Sequence, residues 1–311
     1  MNEQDLSNQH FRTALAGLDL TEMDDHIIRY AAMMCRALSV EKIVFVHIAK
    51  SLELPQKVLK EYPDLLAPLD ESIHMDLQKK IGSFFDAASN TEVIIEVKEG
   101  DPIEKILRLT KIKEVDLILM GRKRSLKGSG IVSSRIARKS PCSLLLIPEN
   151  SPHLISKIMV PVDFSRHSAL AVSCAGHISE ATGAELFFSN VYKVPNGYHA
   201  TGKSYQEFAS IMEHHAHHDY QDFLVRHQLT KEVPCSYLLS KDGDYAERLY
   251  QYSRDIQADL IVLGSRGRTS AAVVLIGSLA EKLTYLDHDI PLFIVKEKGE
   301  NMGFIQALMR V

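Results

Sequence analysis

Gly264, Gly267, Gly277 and Ser278 stand at the spacing Gly-x2-Gly-x9-Gly-Ser, and glycines placed this way suit a phosphate. Without a Cβ the backbone can approach a polyphosphate closely and turn successive N–H groups toward one anion. A helix opening at Gly277-Ser278 would add unpaired N–H groups and a favourable dipole, and the Ser278 hydroxyl a further donor. Asp163, at the end of the apolar run KIMVPVD, suits a ribose hydroxyl at the same sheet edge. Arg266 and Arg268 lie in the same loop, within reach of phosphate oxygens. A plainer reading of each stands beside these: the glycines make a turn and a cap, and Asp163 caps a helix beginning near Ser165. His214 with His218, and Glu213 with His217, share helical faces at metal-ligand spacing. HExxH is absent and no third ligand is identifiable, which favours surface histidines over a metal site. Cys35, Cys142, Cys174 and Cys235 are scattered without CxxC spacing and read as small buried apolar residues in a reducing compartment.

These residues need a strand before them and a helix after them, and both are present. ADLIVLG (258–264) is a fully apolar strand, and GSLAEKL opens a helix. The same order occurs earlier. Asp19 ends the run RTALAGLDL, 144 residues before Asp163, and VDLILMG ends at Gly121, 143 before Gly264. KIVFVHI (42–48) and LFFSNVY (186–192) form second strands, TEVIIEV (91–97) and CSYLLS (235–240) third strands. Longer helices fall at about 72–89 and 203–228, and each half closes on an apolar strand, SLLLIP (143–148) or LFIVK (292–296). Strands alternating with helices predict an α/β protein of two tandem open-sheet, Rossmann-like sandwiches, each with five mainly parallel strands. The domains are read as 1–148 and 157–297 with ENSPHLIS (149–156) between them. In the tail, Phe304, Ile305, Leu308 and Met309 have helical spacing.

At 311 residues the chain is long enough for two buried cores, and 45% hydrophobic with 24% charged residues is an ordinary globular composition. A net charge of −4 provides no basic field for nucleic acid, and no apolar run approaches a membrane span. The polar start MNEQDLSNQH lacks the apolar core of a secretory signal, so a cytoplasmic location is expected, with no membrane partner.

PVDFS (161–165), SNVY (189–192) and the long glycine pattern resemble the universal stress protein family, of its ATP-binding kind, over nearly the whole chain and twice in tandem. The resemblance implies an adenine nucleotide alpha hydrolase-like fold. It places Pro161, Val162 and Asp163 at adenine and ribose, the Val191 backbone at the adenine edge, and Gly264 at the ribose. Gly267, Gly277, Ser278 and the Leu279 backbone would surround the phosphates, with Arg266 beside them. The ligand implied is ATP, with ADP or AMP as alternatives and Mg2+ accompanying ATP. The resemblance also implies pairing of the two halves through their last strands, and a homodimer of such chains.

The first half departs from this pattern. Arg124 holds the second glycine position, and Gly130-Ile131 or Ser134-Arg135 falls where Gly-Ser belongs, depending on the register chosen. Its phosphate cradle is therefore expected to be degenerate, in a loop carrying Arg122, Lys123, Arg124, Lys127, Arg135, Arg138 and Lys139. No GxxxxGK[ST] loop, kinase signature or acidic metal pair is present, so the expected role is nucleotide-dependent regulation in the stress response, without a catalytic residue. A slow ATPase or nucleotidyl transferase, and a nucleotide-free interaction scaffold, are the alternatives.

Overall fold

The computed structural model describes residues 10–52, 69–85, 90–123, 131–229, 233–268, 276–286 and 289–297. Arg124, Lys127, Gly130, residues 269–275 and the tail residues Phe304, Ile305, Leu308 and Met309 lie outside them. The chain divides into two compact units, one spanning His10–His153 and the other running on from Leu154. That divide falls inside the segment 149–156.

The first unit runs β1 (Thr13–Leu18), α1 (Met23–Ala37), β2 (Lys42–Ala49), α2 (Leu69–Gly82), β3 (Glu92–Glu99), α3 (Pro102–Ile112), β4 (Leu117–Arg122), α4 (Ile131–Lys139) and β5 (Ser143–Pro148). Its strands are ordered β3-β2-β1-β4-β5 and pair in parallel. The second unit runs β6 (Lys157–Pro161), α5 (Arg166–Thr182), β7 (Glu185–Tyr192), a 3-10 turn (Tyr198–Thr201), α6 (Tyr205–Arg226), β8 (Cys235–Leu239), α7 (Tyr245–Asp255), β9 (Leu260–Gly264), α8 (Ser278–Tyr285) and β10 (Leu292–Val295). Its order is β8-β7-β6-β9-β10, again in parallel. Each half is therefore a mixed α/β unit with alternating strands and helices around a parallel sheet.

The apolar runs become inner strands because a parallel sheet is covered on both faces. Leu117, Ile118 and Leu119 of β4, and Leu260, Ile261 and Val262 of β9, are all buried. The repeat is written into the polar contacts as well. Asp116 Oδ2 accepts the Arg12 and Thr13 N–H groups at 2.8 and 3.0 Å, tying β4 to the start of β1. Asp259 Oδ2 does the same for Ser156 and Lys157 at 2.8 and 3.0 Å. Helix starts follow their caps: Asp101 accepts from Glu104 N, Asp244 from Glu247 N, and Ser204 with Glu207 forms a capping box. In α2, Leu69–Gly82 is helical, within and just before the stretch of about 72–89 that the periodicity predicts, of which 86–89 lie outside the described residues.

Candidate functional site

Pro161 ends β6, and the chain then turns sharply before α5. Val162 N–H donates to the Ser189 carbonyl at 2.8 Å, and the buried Asn190 side chain donates to the Val162 carbonyl at 2.8 Å, which fixes the ends of β6 and β7 to each other. Phe164 then takes the left-handed region, φ 65°, an arrangement that costs a bulky residue of order 1–3 kcal/mol. Burial of its ring against Tyr220 and Phe223, at centroid distances of 6.1 and 5.8 Å, offsets that strain. The turn sets Asp163 over the sheet edge. Its N–H donates to Ser168 Oγ at 3.0 Å, and its Oδ1 accepts Ser165 N–H at 3.1 Å and the Ser168 hydroxyl. Ser165 is the N-cap of α5, so Asp163 braces the turn that precedes the helix and does not cap it.

From β9 the loop passes directly beside this carboxylate. Arg268 N–H donates to Asp163 Oδ2 at 2.9 Å, and the Arg268 guanidinium reaches the Asp163 carbonyl and Asp219, lying 5.1 Å from the Phe164 ring centre. A Cβ at Gly267 would come within 2.8 Å of Asp163 Oδ2, and one at Gly264 within 2.6 Å of the His167 backbone. Close approach is thus what these glycines supply. Positive φ occurs at other glycines, and Gly277 has φ −73°. Gly277 N–H donates to the Ser265 carbonyl at 2.7 Å, which brings the start of α8 to the β9 loop, and among the described residues no side chain caps that helix. Its first-turn N–H groups therefore face the edge with the positive end of the helix dipole.

Together these elements enclose a cavity of about 270 Å³. All ten residues singled out by the sequence, Pro161, Val162, Asp163, Val191, Gly264, Arg266, Gly267, Gly277, Ser278 and Leu279, line it. Sequence reasoning missed Tyr245 and Leu249 of α7, which form another wall. The repeat pairs them with Pro102 and Ile106, 143 residues earlier, which line the first-half cavity, but neither pair carries a signal in the sequence. Arg266 is only 5% exposed, and burial draws its pKa down from the ordinary arginine range while Glu297 opposes. A guanidinium stays cationic at neutral pH even so. Burial and the Arg266 charge hold His167 below the ordinary imidazole value, which keeps that ring neutral. The cavity is thus apolar along α7 and cationic at its glycine end, an arrangement that can receive a flat ring at one end and an anion at the other.

The other candidates are not gathered here. His218 pairs with Asp222 at 3.4 Å on the exposed side of α6, and among the described residues no group of three or more His, Cys, Asp or Glu is placed to hold a metal ion. Cys35, Cys142 and Cys174 are buried, and burial pushes the Cys35 thiol up to about 12. No described helix is long and apolar enough to cross a membrane.

In the first half, Ile131–Lys139 is helical, so Ser134 and Arg135 lie within α4 and not at its start, which argues against the register that sets them at the Gly-Ser position. A second cavity of about 270 Å³ lies at this sheet edge, lined by Asp19, Met23, Ile106, Gly121 and Lys123 among others.

Comparison with known proteins gives concordant matches. The profile described as "Universal stress protein family" matches residues 10–148 and again 155–286. "Stress response protein NhaX" of Bacillus subtilis is 42% identical over 55 residues, 18% of this chain and 32% of that protein. "Universal stress protein MJ0531" of Methanocaldococcus jannaschii is 27% identical over 158 residues, 50% of this chain and 90% of that protein. Among solved structures, a functionally unknown protein, PA1789 of Pseudomonas aeruginosa, superposes with a TM-score of 0.69 at 13% identity, covering 99% of this chain and 100% of that one. A second, from Archaeoglobus fulgidus, has a TM-score of 0.60 at 20% identity over 94% and 100% of the two chains. At these identities the likeness is one of fold.

Proposed function

The chain belongs to the universal stress protein family, and we propose that its second half binds an adenine nucleotide, ATP foremost, as the switch of a regulatory stress-response protein. Family membership supports the stress-response role. The nucleotide reading rests on one observation: ten residues spread over 161–279, some read from their chemistry and the others placed by the family resemblance, line one cavity with an apolar end and a cationic end. In this reading Pro161, Val162, Val191, Tyr245 and Leu249 surround the base, and Asp163 accepts from a ribose hydroxyl through a lone pair left over from its Arg268 contact. Gly267 lets the chain pass close to the phosphates, while Arg266, Ser278 and the N–H groups of Ser278 and Leu279 supply donors and positive charge. ADP and AMP fit the same cavity with fewer contacts, and Mg2+ would enter with ATP on its phosphates.

Binding without efficient turnover is favoured by the bonding of Asp163. Its carboxylate already accepts from Ser165, Ser168 and Arg268, so it serves as a brace and a hydroxyl acceptor more readily than as a general base. Equilibrium dialysis with ATP tests the reading. One ATP per chain is expected, with affinity reduced about 100-fold in Gly267→Arg, where a side chain must displace the Asp163 carboxylate, a loss of about 3 kcal/mol. Failure of ATP, ADP and AMP alike to bind at millimolar concentration would overturn it.

A further inference from the structure

The cavity of the first half has the same volume as that of the second, about 270 Å³, and its walls divide into two ends. Along the inner end the second-half arrangement recurs. His47 Nδ1 donates to the Leu18 carbonyl at 3.1 Å, as Asn190 does to Val162 at 2.8 Å. Leu20 follows Asp19 with φ 62°, as Phe164 follows Asp163 with φ 65°. Ile48, Ile106 and Gly121 line the first cavity at the repeat positions of Val191, Leu249 and Gly264.

The outer end is different. Lys123, at the repeat position of Arg266, is paired with the Asp19 carboxylate, and its side chain is only 7% exposed. Asp24, at the repeat position of Ser168, is fully buried and accepts the Asp19 and Leu20 N–H groups at 2.9 Å each. Counting the described groups that line each cavity or bond directly to its strand-end aspartate, the first has two carboxylates against one ammonium. The second has one carboxylate against two guanidiniums. On these described groups the second cavity favours a polyphosphate over the first, since in partly buried surroundings charges a few Å apart interact by several kcal/mol.

We infer that the first-half cavity is a nucleoside site, taking a purine nucleoside of the adenosine type without its phosphates. The apolar wall of Ile48, Ile106 and Met120 covers the base, while the Asp19–Lys123 pair accepts from and donates to the ribose hydroxyls. The inference rests on the adenine reading of the second half, because the repeat is what identifies the inner end as a base pocket.

Stoichiometry in the full-length chain tests it, with adenosine and ATP as probes in equilibrium dialysis. The wild type binds two adenosines but one ATP. Gly267→Arg keeps one adenosine site while losing ATP, and Ile106→Trp loses the first-half adenosine, weakened at least about tenfold, with ATP binding unchanged. Carbon-13 methyl spectra of Gly267→Arg provide a readout that needs no first-half variant: the Met23 and Met120 signals shift on adding adenosine. Absence of adenosine binding to Gly267→Arg at millimolar concentration, unmoved Met23 and Met120 signals, or ATP filling both halves equally would overturn the inference. If ATP fails to bind the wild type while Gly267→Arg still takes up adenosine, the nucleotide reading of the second half falls and this site stands.

Discussion

Five residues beyond the strand-end aspartate, the two halves solve one structural problem with different chemistry. In the second half the Asp163 N–H is held by the Ser168 hydroxyl at 3.0 Å; in the first the Asp19 N–H is held by the Asp24 carboxylate at 2.9 Å. Either acceptor supports the left-handed step that follows, at Phe164 or at Leu20. The backbone turn, the side-chain bond from the second strand and the cavity volume are therefore common property of the fold. The charge beside them is not: a neutral hydroxyl leaves Arg266 and Arg268 to set the field, whereas a buried carboxylate reverses it. A duplicated scaffold can thus keep its shape while its two sites diverge in the ligands they admit, because shape is held mostly by backbone bonds and selectivity by a few side chains.

The sharpest way to break this comparison is at the paired glycines that end the fourth strand of each half. At Gly264 a Cβ would lie 2.6 Å from the carbonyl carbon and oxygen of His167, which belong to helix backbone and cannot move alone. At Gly121 the nearest atoms are Met23 Cγ at 2.6 Å and Ile27 Cδ1 at 3.0 Å, which are side-chain atoms able to repack. Gly264→Ala is expected to destabilise the protein by about 3 kcal/mol and Gly121→Ala by about 1 kcal/mol, since overpacking costs most where rigid atoms are met. Urea denaturation of both variants checks this, and equal losses would show that α5 can shift away from β9.

A smaller effect belongs to Tyr245. The first half has Pro102 at this position, and both residues line their cavities. An aromatic ring beside the base adds stacking worth about 1–3 kcal/mol. Tyr245→Pro, which writes the first-half residue into the second, is expected to weaken ATP about tenfold while Tyr245→Phe keeps it. Equilibrium dialysis with ATP measures both variants. Unchanged affinity in Tyr245→Pro would move the base away from α7.

What the sequence revealed of this site depended on the kind of residue. Glycines at fixed spacing and an aspartate at a strand end announce themselves because few residue types can do their work, and Asp163, Gly264, Gly267 and Gly277 came together, whereas Pro161, Val162, Val191 and Leu279 entered through the family resemblance. Tyr245 and Leu249 did neither, since their reach into the cavity depends on how α7 packs across the sheet edge, a tertiary fact with no local signature. The glycine loop of the first half allowed two registers, and only the helical state of Ile131–Lys139, which takes in Ser134 and Arg135, separates them. Asp24 was silent for a similar reason: an aspartate in the first turn of a helix usually sits in solvent, and its complete burial here follows from the two N–H groups that turn inward to meet it.

That buried carboxylate offers the most delicate test of the difference between the halves. Burial raises the Asp24 pKa above its ordinary value, the Asp19 charge adding to the effect, against the opposing pull of the Asp19 and Leu20 N–H bonds and of Lys80. A carboxyl whose pKa is higher folded than unfolded binds its proton more tightly in the native state. Its contribution to stability is then fullest below the unfolded pKa and is lost as pH rises through the folded one. Asp24→Ser transplants the second-half residue and removes this titration. Relative to that variant, the wild type should gain stability as pH falls through the raised pKa toward the ordinary carboxylate range, with a constant difference above the raised value. Thermal unfolding of the two proteins across that range measures it. If the difference instead shrinks on acidification, the two backbone bonds outweigh burial, and Asp24 is a stabilising anion whose charge the first half needs in order to hold its turn.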